Sequence, residues 1–200
     1  DESERLLVEE LDRHLAPVLA GMDVFDTEGI WKVMNRTIAA SFSTGQPICK
    51  AGIDLALFDL TGRLLQESPR ERWRRTGRDA ITLSWTIDAR RIEEVESSIS
   101  DARARGFRNF NVKVGGDAAF DVLVCREIRR LAPAAFVWVD ANGGYDLGTA
   151  LGVAPQFADL GIAALEQPLP ANRLTGYQRL REQKALPILM DEGVVSPDEL

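Results

Sequence analysis

Apolar residues recur at helical spacing through residues 4–20, where Leu6, Leu7, Leu11, Leu15, Val18 and Leu19 repeat every three or four positions and Gly21 follows as a stop. Thr27 can cap a second helix carrying Ile30, Trp31, Val33 and Met34. A loop over 41–47 leads to a third helix, 48–66, with Ile53, Leu57, Leu60 and Leu64 on one side. No strand pattern precedes residue 80, so residues 1–79 read as a helical cap or subdomain.

From Ile81 the pattern alternates between short β-rich runs and amphipathic stretches. The runs at 81–87, 109–115, 136–140, 163–167 and 188–191 predict strands. Between them lie helices over 90–105 (stopped by Gly106), Ala118–Leu131 (closed by Pro133), 147–160 and Leu174–Gln183. Pro155 should break or kink the third of these, and Ser196 reads as the N-cap of another helix. Five βα units in a row imply α/β architecture with parallel strands and helices outside. An open doubly wound sheet would carry a glycine-rich turn after its first strand. Here Asp88, Ala89 and Arg90 stand in that place. The expectation is therefore a parallel (β/α) barrel of TIM type over 80–200, incomplete at about five of eight βα units, preceded by the helical part of an α+β capping domain over 1–79.

Composition narrows the partners more than the fold. Hydrophobic residues make up 45% and charged residues 28% of the 200, as in ordinary globular proteins. The net charge of -7 argues against nucleic acid. No apolar run reaches the ~20 residues of a membrane-spanning helix, and no signal-peptide pattern opens a sequence that begins with Asp1 rather than Met. Cys49 and Cys125 lack metal-ligand spacing and are expected to be buried, reduced thiols of a cytoplasmic protein. Assembly as a homo-oligomer is the remaining expectation about partners.

The polar residues that bear on chemistry are Lys113, Asp140, Glu166 and Asp191, separated by 27, 26 and 25 positions (140−113, 166−140, 191−166). Each lies at or near the C-terminal end of its own predicted strand, the rim where a parallel barrel gathers its catalytic groups. Side-chain alternation turns Val112, Val114, Val137 and Val139 toward the helices and Asn111, Lys113 and Asp140 toward the axis. One charged residue ending a strand is commonly the start of a solvated loop; four at a regular interval are hard to explain that way. Three carboxylates aimed at one point repel unless a cation lies among them, and oxygen-only donors with open positions suit Mg²⁺ better than Ca²⁺. His14, the one histidine, lies in the first helix and reads as a surface residue, which disfavours zinc chemistry.

The segments 111–115 (NVKVG), 139–143 (VDANG), 165–168 (LEQP) and 190–192 (MDE), with 51–60 (AGIDLALFDL) in the third helix, resemble the enolase superfamily in its mandelate racemase and muconate-lactonizing branches. The resemblance implies Asp140, Glu166 and Asp191 as magnesium ligands and Lys113 as general base, the second lysine of a lysine-x-lysine strand. It implies abstraction of the proton alpha to the carboxylate of a small molecule through an enediolate, leading to racemization or epimerization, cycloisomerization or dehydration. The superfamily's pairing of a Lys or His base with Mg²⁺ is itself a worked case of enediolate stabilisation. To serve, Lys113 must titrate below its usual ~10.4, by desolvation and a nearby cation.

Asn111 stands where the family has its first strand lysine, so a hydrogen-bonding amide replaces a positive charge. Asn142 is expected at the rim, orienting a ligand. Glu192 is expected behind Asp191, turned away by alternation. The loop 41–46 can lie over a barrel mouth or be a plain surface loop, and Arg70, Arg72, Arg74 and Arg75 read as a solvated connector. The resemblance also implies three more strands after Asp191 and strands before the cap helices, so the 200 residues are expected to be an internal portion of a longer protein. The competing reading is a non-catalytic metal-binding scaffold, for which Asn111 is the hint.

Overall fold

The computed structural model describes residues 4–40, 45–77 and 80–194; most of the loop 41–46 and the cap expected at Ser196 lie outside the described residues. The chain divides into two compact units, Asp1–Asp79 and Ala80–Leu200.

The first unit is helical. Helix α1 (Glu4–Glu10) runs through a π-helical turn (Leu11–Leu15) into α2 (Ala16–Leu19), followed by α3 (Thr27–Thr37), α4 (Pro47–Leu65) and the short α5 (Pro69–Arg72). The cap of α3 is Asp26, not Thr27: its carboxylate accepts from the Gly29 amide at 2.9 Å. Thr27 is instead the first helical residue, because the carboxylate one position earlier reaches the free amides better. Leu15, Ile30, Met34 and Cys49 form the small core, with Ile53 and Leu57 packed on it. Leu60 and Leu64 continue the stripe expected along α4 but are 42% and 59% exposed.

The expected solvated connector is partly wrong. Ser68 and Glu71 form a capping box that starts α5, and Arg72 donates to the Phe58 carbonyl and the Thr61 hydroxyl while its guanidinium lies 4.7 Å from the Phe58 ring centre. A planar guanidinium can use both contacts at once, which periodicity alone does not show.

The second unit carries five parallel strands: β1 (Ser84–Ile87), β2 (Asn109–Lys113), β3 (Val137–Asp140), β4 (Leu165–Glu166) and β5 (Ile188–Leu189). They pair in chain order, β1-β2-β3-β4-β5. An open doubly wound sheet reverses its strand order at a switch point; a sequential parallel order is that of a TIM-type (β/α) barrel, here through five strands and the four helices between them. Helices α6 (Glu93–Ala104), α7 (Ala118–Leu131), α8 (Leu147–Asp159) and α9 (Leu174–Gln183) connect them. Asp117 caps α7 and Asp146 caps α8, each carboxylate taking amides of the first turn.

The strands are shorter than the apolar runs suggested. Ile81 and Leu83 are exposed ahead of β1, 81% and 58%, because strand pairing rather than composition sets where a strand begins. Their helix-facing side chains, Ile87, Phe110, Val112, Val137, Val139 and Leu165, are at most 1% exposed and form one core with Val95, Ile99, Cys125, Ile128, Val153, Phe157 and Leu180 of the helices. Each such burial contributes roughly 1.5–3 kcal/mol, which fixes the register because a slip of one residue would expose the set.

Helix α8 runs through Pro155, so of the two outcomes expected there, a break or a kink, the break does not occur. Proline supplies no N–H to the carbonyl four residues earlier. That carbonyl, of Leu151, accepts instead from the Gln183 side-chain amide at 2.8 Å, from the end of α9.

Candidate active site

The register places the candidate residues in one layer. Lys113 pairs with Asp140, Asp140 with Glu166, and Glu166 with Leu189, and in-register neighbours in a parallel sheet share a face at about 4.8 Å spacing. One pleat earlier, Thr86, Asn111 and Trp138 occupy the same face. Asp191 stands two residues beyond Leu189, on that face by alternation, at the start of a turn closed by the Val194 amide on its carbonyl. Asn111 is buried at 8% and Asp140 at 4%, whereas Lys113 is half-buried and Asp191 and Glu192 are exposed.

The contacts within the layer are specific. Lys113 Nζ donates to Asp140 Oδ2 at 2.6 Å and to Asn142 Oδ1 at 2.9 Å. Asp140 Oδ1 accepts from the Asn142 backbone amide at 2.9 Å, an Asx-type turn that holds Asn142 at a left-handed φ of 42°. Asn142 Nδ2 in turn donates to Glu192 Oε1 at 2.8 Å. Glu192, expected to turn away, thus joins the rim through Asn142. Glu166 Oε2 accepts from the Trp138 indole at 2.7 Å.

These contacts set the electrostatics. Burial holds the Glu166 carboxyl above the usual carboxylate range; the Trp138 bond opposes this, and the charges of Asp140 and Asp191 add to it. The Lys113 ammonium is held above its ordinary value, chiefly by its bond to Asp140, against a smaller effect of burial. That direction is the reverse of what a neutral base needs, and it belongs to the arrangement in which Asp140 faces Lys113 with no cation between them.

Asp140 and Glu166 occupy neighbouring strand ends and Asp191 the turn just past β5, without the three being drawn together. Among the described residues, no three acidic, imidazole or thiol side chains are gathered closely enough to hold a metal ion as they stand. Both oxygens of Asp140 are engaged by Lys113 and Asn142, and Glu166 is turned to Trp138. The donor chemistry nevertheless fits a hard divalent cation. The donors are carboxylate oxygens, and Glu166 feels the repulsion of both neighbours, which a cation would offset.

Sequence reasoning missed Gln167. Its side chain points to the helix side of β4, is 1% exposed, and makes hydrogen bonds with both its oxygen and its nitrogen. The signal was present, since alternation puts an amide where every neighbouring strand has an aliphatic side chain. The joint between the β2 and β3 loops was missed too. Buried Asp121 of α7 accepts on Oδ2 from the Tyr145 hydroxyl at 2.6 Å and the Gly115 amide at 3.0 Å.

A TIM-type barrel segment with acidic side chains stepping along its strand ends defines a class of enzyme-like α/β proteins. Residues 94–200 match the family model of the enolase C-terminal domain-like fold, and residues 2–70 that of the mandelate racemase/muconate lactonizing enzyme N-terminal domain. The chain belongs to the enolase superfamily, in its mandelate racemase/muconate lactonizing branch. Among curated relatives, a chloromuconate cycloisomerase of Cupriavidus necator is 33% identical over 93% of this chain and 50% of its own length. An L-Ala-D/L-amino acid epimerase of Maribacter sp. is 32% identical over 72% of this chain and 41% of its own. The crystal structure of muconate cycloisomerase from Pseudomonas fluorescens superposes with a TM-score of 0.85 at 28% identity, covering 99% of this chain and 54% of that one. The chain spans about half the length of the curated relatives it matches. No helix of the described residues is long and apolar enough to cross a membrane.

Proposed function

We propose that the protein removes the proton alpha to the carboxylate of a small organic acid, as an isomerase or lyase using Mg²⁺. The observation that carries this is the register layer of Lys113, Asp140 and Glu166 at adjacent strand ends. Asp140, Glu166 and Asp191 would hold the cation, which supplies positive charge beside the substrate carboxylate as its oxygens gain charge.

Lys113 takes the proton on Nζ. It can do so only as a neutral amine, so its bond to Asp140 Oδ2 is the contact that must be given up before turnover. Asn142 holds Nζ from the other side and keeps the amine aimed while that exchange occurs. Asn111, buried two residues before Lys113, offers an uncharged amide to a substrate oxygen. The names of the relatives, cycloisomerases and epimerases, support rearrangement or inversion at carbon as the outcome.

The test is exchange of the alpha proton with deuterium oxide, followed by NMR over a panel of carboxylic acids with Mg²⁺ present. Exchange by the parent and its loss in Lys113→Ala supports the assignment; undiminished exchange by the variant refutes it. A metal-binding protein without turnover is the second reading, for which Asn111, an uncharged amide two residues before Lys113, is the observation. Stoichiometric Mg²⁺ binding with no exchange across the panel would select it.

A further inference from the structure

Gln167 has every polar group occupied, and its partners lie on the loops after β3, β4 and β5, on β5 itself and on α9. Side-chain Oε1 accepts from the backbone amides of Asp191 and Gly193, both at 3.0 Å. Side-chain Nε2 donates to the Leu169 carbonyl at 3.0 Å and to the Tyr177 hydroxyl at 2.6 Å. Its own N–H donates to the Leu189 carbonyl at 2.9 Å, and its carbonyl accepts from the Gly143 amide at 2.7 Å. Gln167 adopts a φ of 38°, a left-handed conformation costing on the order of 1 kcal/mol or more outside glycine. The surrounding bonds hold it there. The Tyr177 hydroxyl donates to the Leu169 carbonyl as well, so the amide rests on a second fixed group.

Asp191 itself is exposed and lies just past a two-residue strand. The ladder therefore fixes its backbone weakly. The bond from its amide to Gln167 anchors it, and Gly193 permits the close approach: a Cβ there would come 2.3 Å from Met190 Cε and 3.2 Å from Gln167 Oε1.

We propose that Gln167 is a positioning residue that sets the Asp191 carboxylate for the divalent cation by gripping the turn from which Asp191 projects. This rests on the metal-site reading above and goes beyond it by naming what places the third ligand. The acceptor oxygen does the work; the donor end seats the amide.

The experiment is Mn²⁺ binding to the protein without substrate, read by electron paramagnetic resonance, for the parent, Gln167→Met, Gln167→Glu and Tyr145→Phe. Urea unfolding of each is measured without metal. Gln167→Met keeps the length and loses all four side-chain bonds, and its Kd should rise by about 10–100-fold, as for other losses of groups that orient ligands. Gln167→Glu keeps an acceptor oxygen but sets its second oxygen against the Leu169 carbonyl, so its affinity should fall between those of Gln167→Met and the parent. Tyr145→Phe, destabilised elsewhere in the same unit, should also bind like the parent. Parental affinity in Gln167→Met overturns the inference alone, as does an equal loss in Tyr145→Phe, which would make the effect one of stability. A parent that binds no Mn²⁺ overturns the site reading and this inference together. Should Gln167→Met not fold, hydrogen exchange of the parent decides: Asp191 and Gly193 amides protected with the β4 amides support the anchor, and unprotected rates overturn it.

Discussion

Replacing Tyr145 with phenylalanine removes a single oxygen from the joint between the β2 and β3 loops and keeps the ring that fills the core. Tyr145 is 3% exposed and Asp121 6%, so no solvent stands ready to replace the lost contact. The Tyr145 hydroxyl and the Gly115 amide share one oxygen, Asp121 Oδ2. Burial first, and then the Asp121 bond, holds the phenol well above its ordinary titration range, so it is a donor at any working pH. A hydrogen bond to a charged group is worth roughly 1.5–3 kcal/mol, and here its loss leaves a buried carboxylate with one donor fewer. Tyr145→Phe should therefore lower stability by about 2 kcal/mol in urea unfolding, with an unchanged denaturant slope. Asp121→Asn, whose amide oxygen can accept from the same two donors, should cost less than Asp121→Ala, which strands both. A loss below about 0.5 kcal/mol for Tyr145→Phe would show that the hydroxyl finds an equal partner elsewhere and that the joint is not a fastening.

Gly144→Ala should destabilise by about 3 kcal/mol in the same assay, because its Cβ would lie 2.5 Å from the Gly115 carbonyl oxygen and 2.9 Å from that of Ala141, neither free to move aside; parental stability would contradict the close approach of the two loops. Gln183→Ala should cost about 0.5 kcal/mol by leaving the exposed Leu151 carbonyl to water, and the cost should vanish in the Pro155→Ala background, where the helix regains its own N–H. An additive double variant would sink that account. Burial, with a lesser push from Asp121, raises the Cys125 thiol to about 12. Below the ordinary thiol value near 9 both states keep the proton; between there and about 12 only the unfolded chain releases it, so stability falls as pH rises through that window. The parent should then lose up to about 1.4 kcal/mol per pH unit more than Cys125→Ala, and parallel pH profiles would show that the thiol does not contribute.

The alternation of runs from Ile81 onward was enough to order five strands and four helices, since periodicity of 2 or 3.6 is a local property that burial must match. The spacing of Lys113, Asp140 and Glu166 placed them on successive strand ends for the same reason, while Asp191 lies two residues past the end of β5. What each of those groups touches was not in the pattern. The Lys113 ammonium is set by a carboxylate 27 residues away, the exposed Leu151 carbonyl left by Pro155 is met by an amide 32 residues on, and Gln167 reaches Asp191 and Gly193 across the next strand. Titration and polar satisfaction depend on which atoms stand within about 3 Å after the chain has packed. Local sequence fixes the direction a side chain takes from its strand; only the tertiary structure supplies the partner at the end of it.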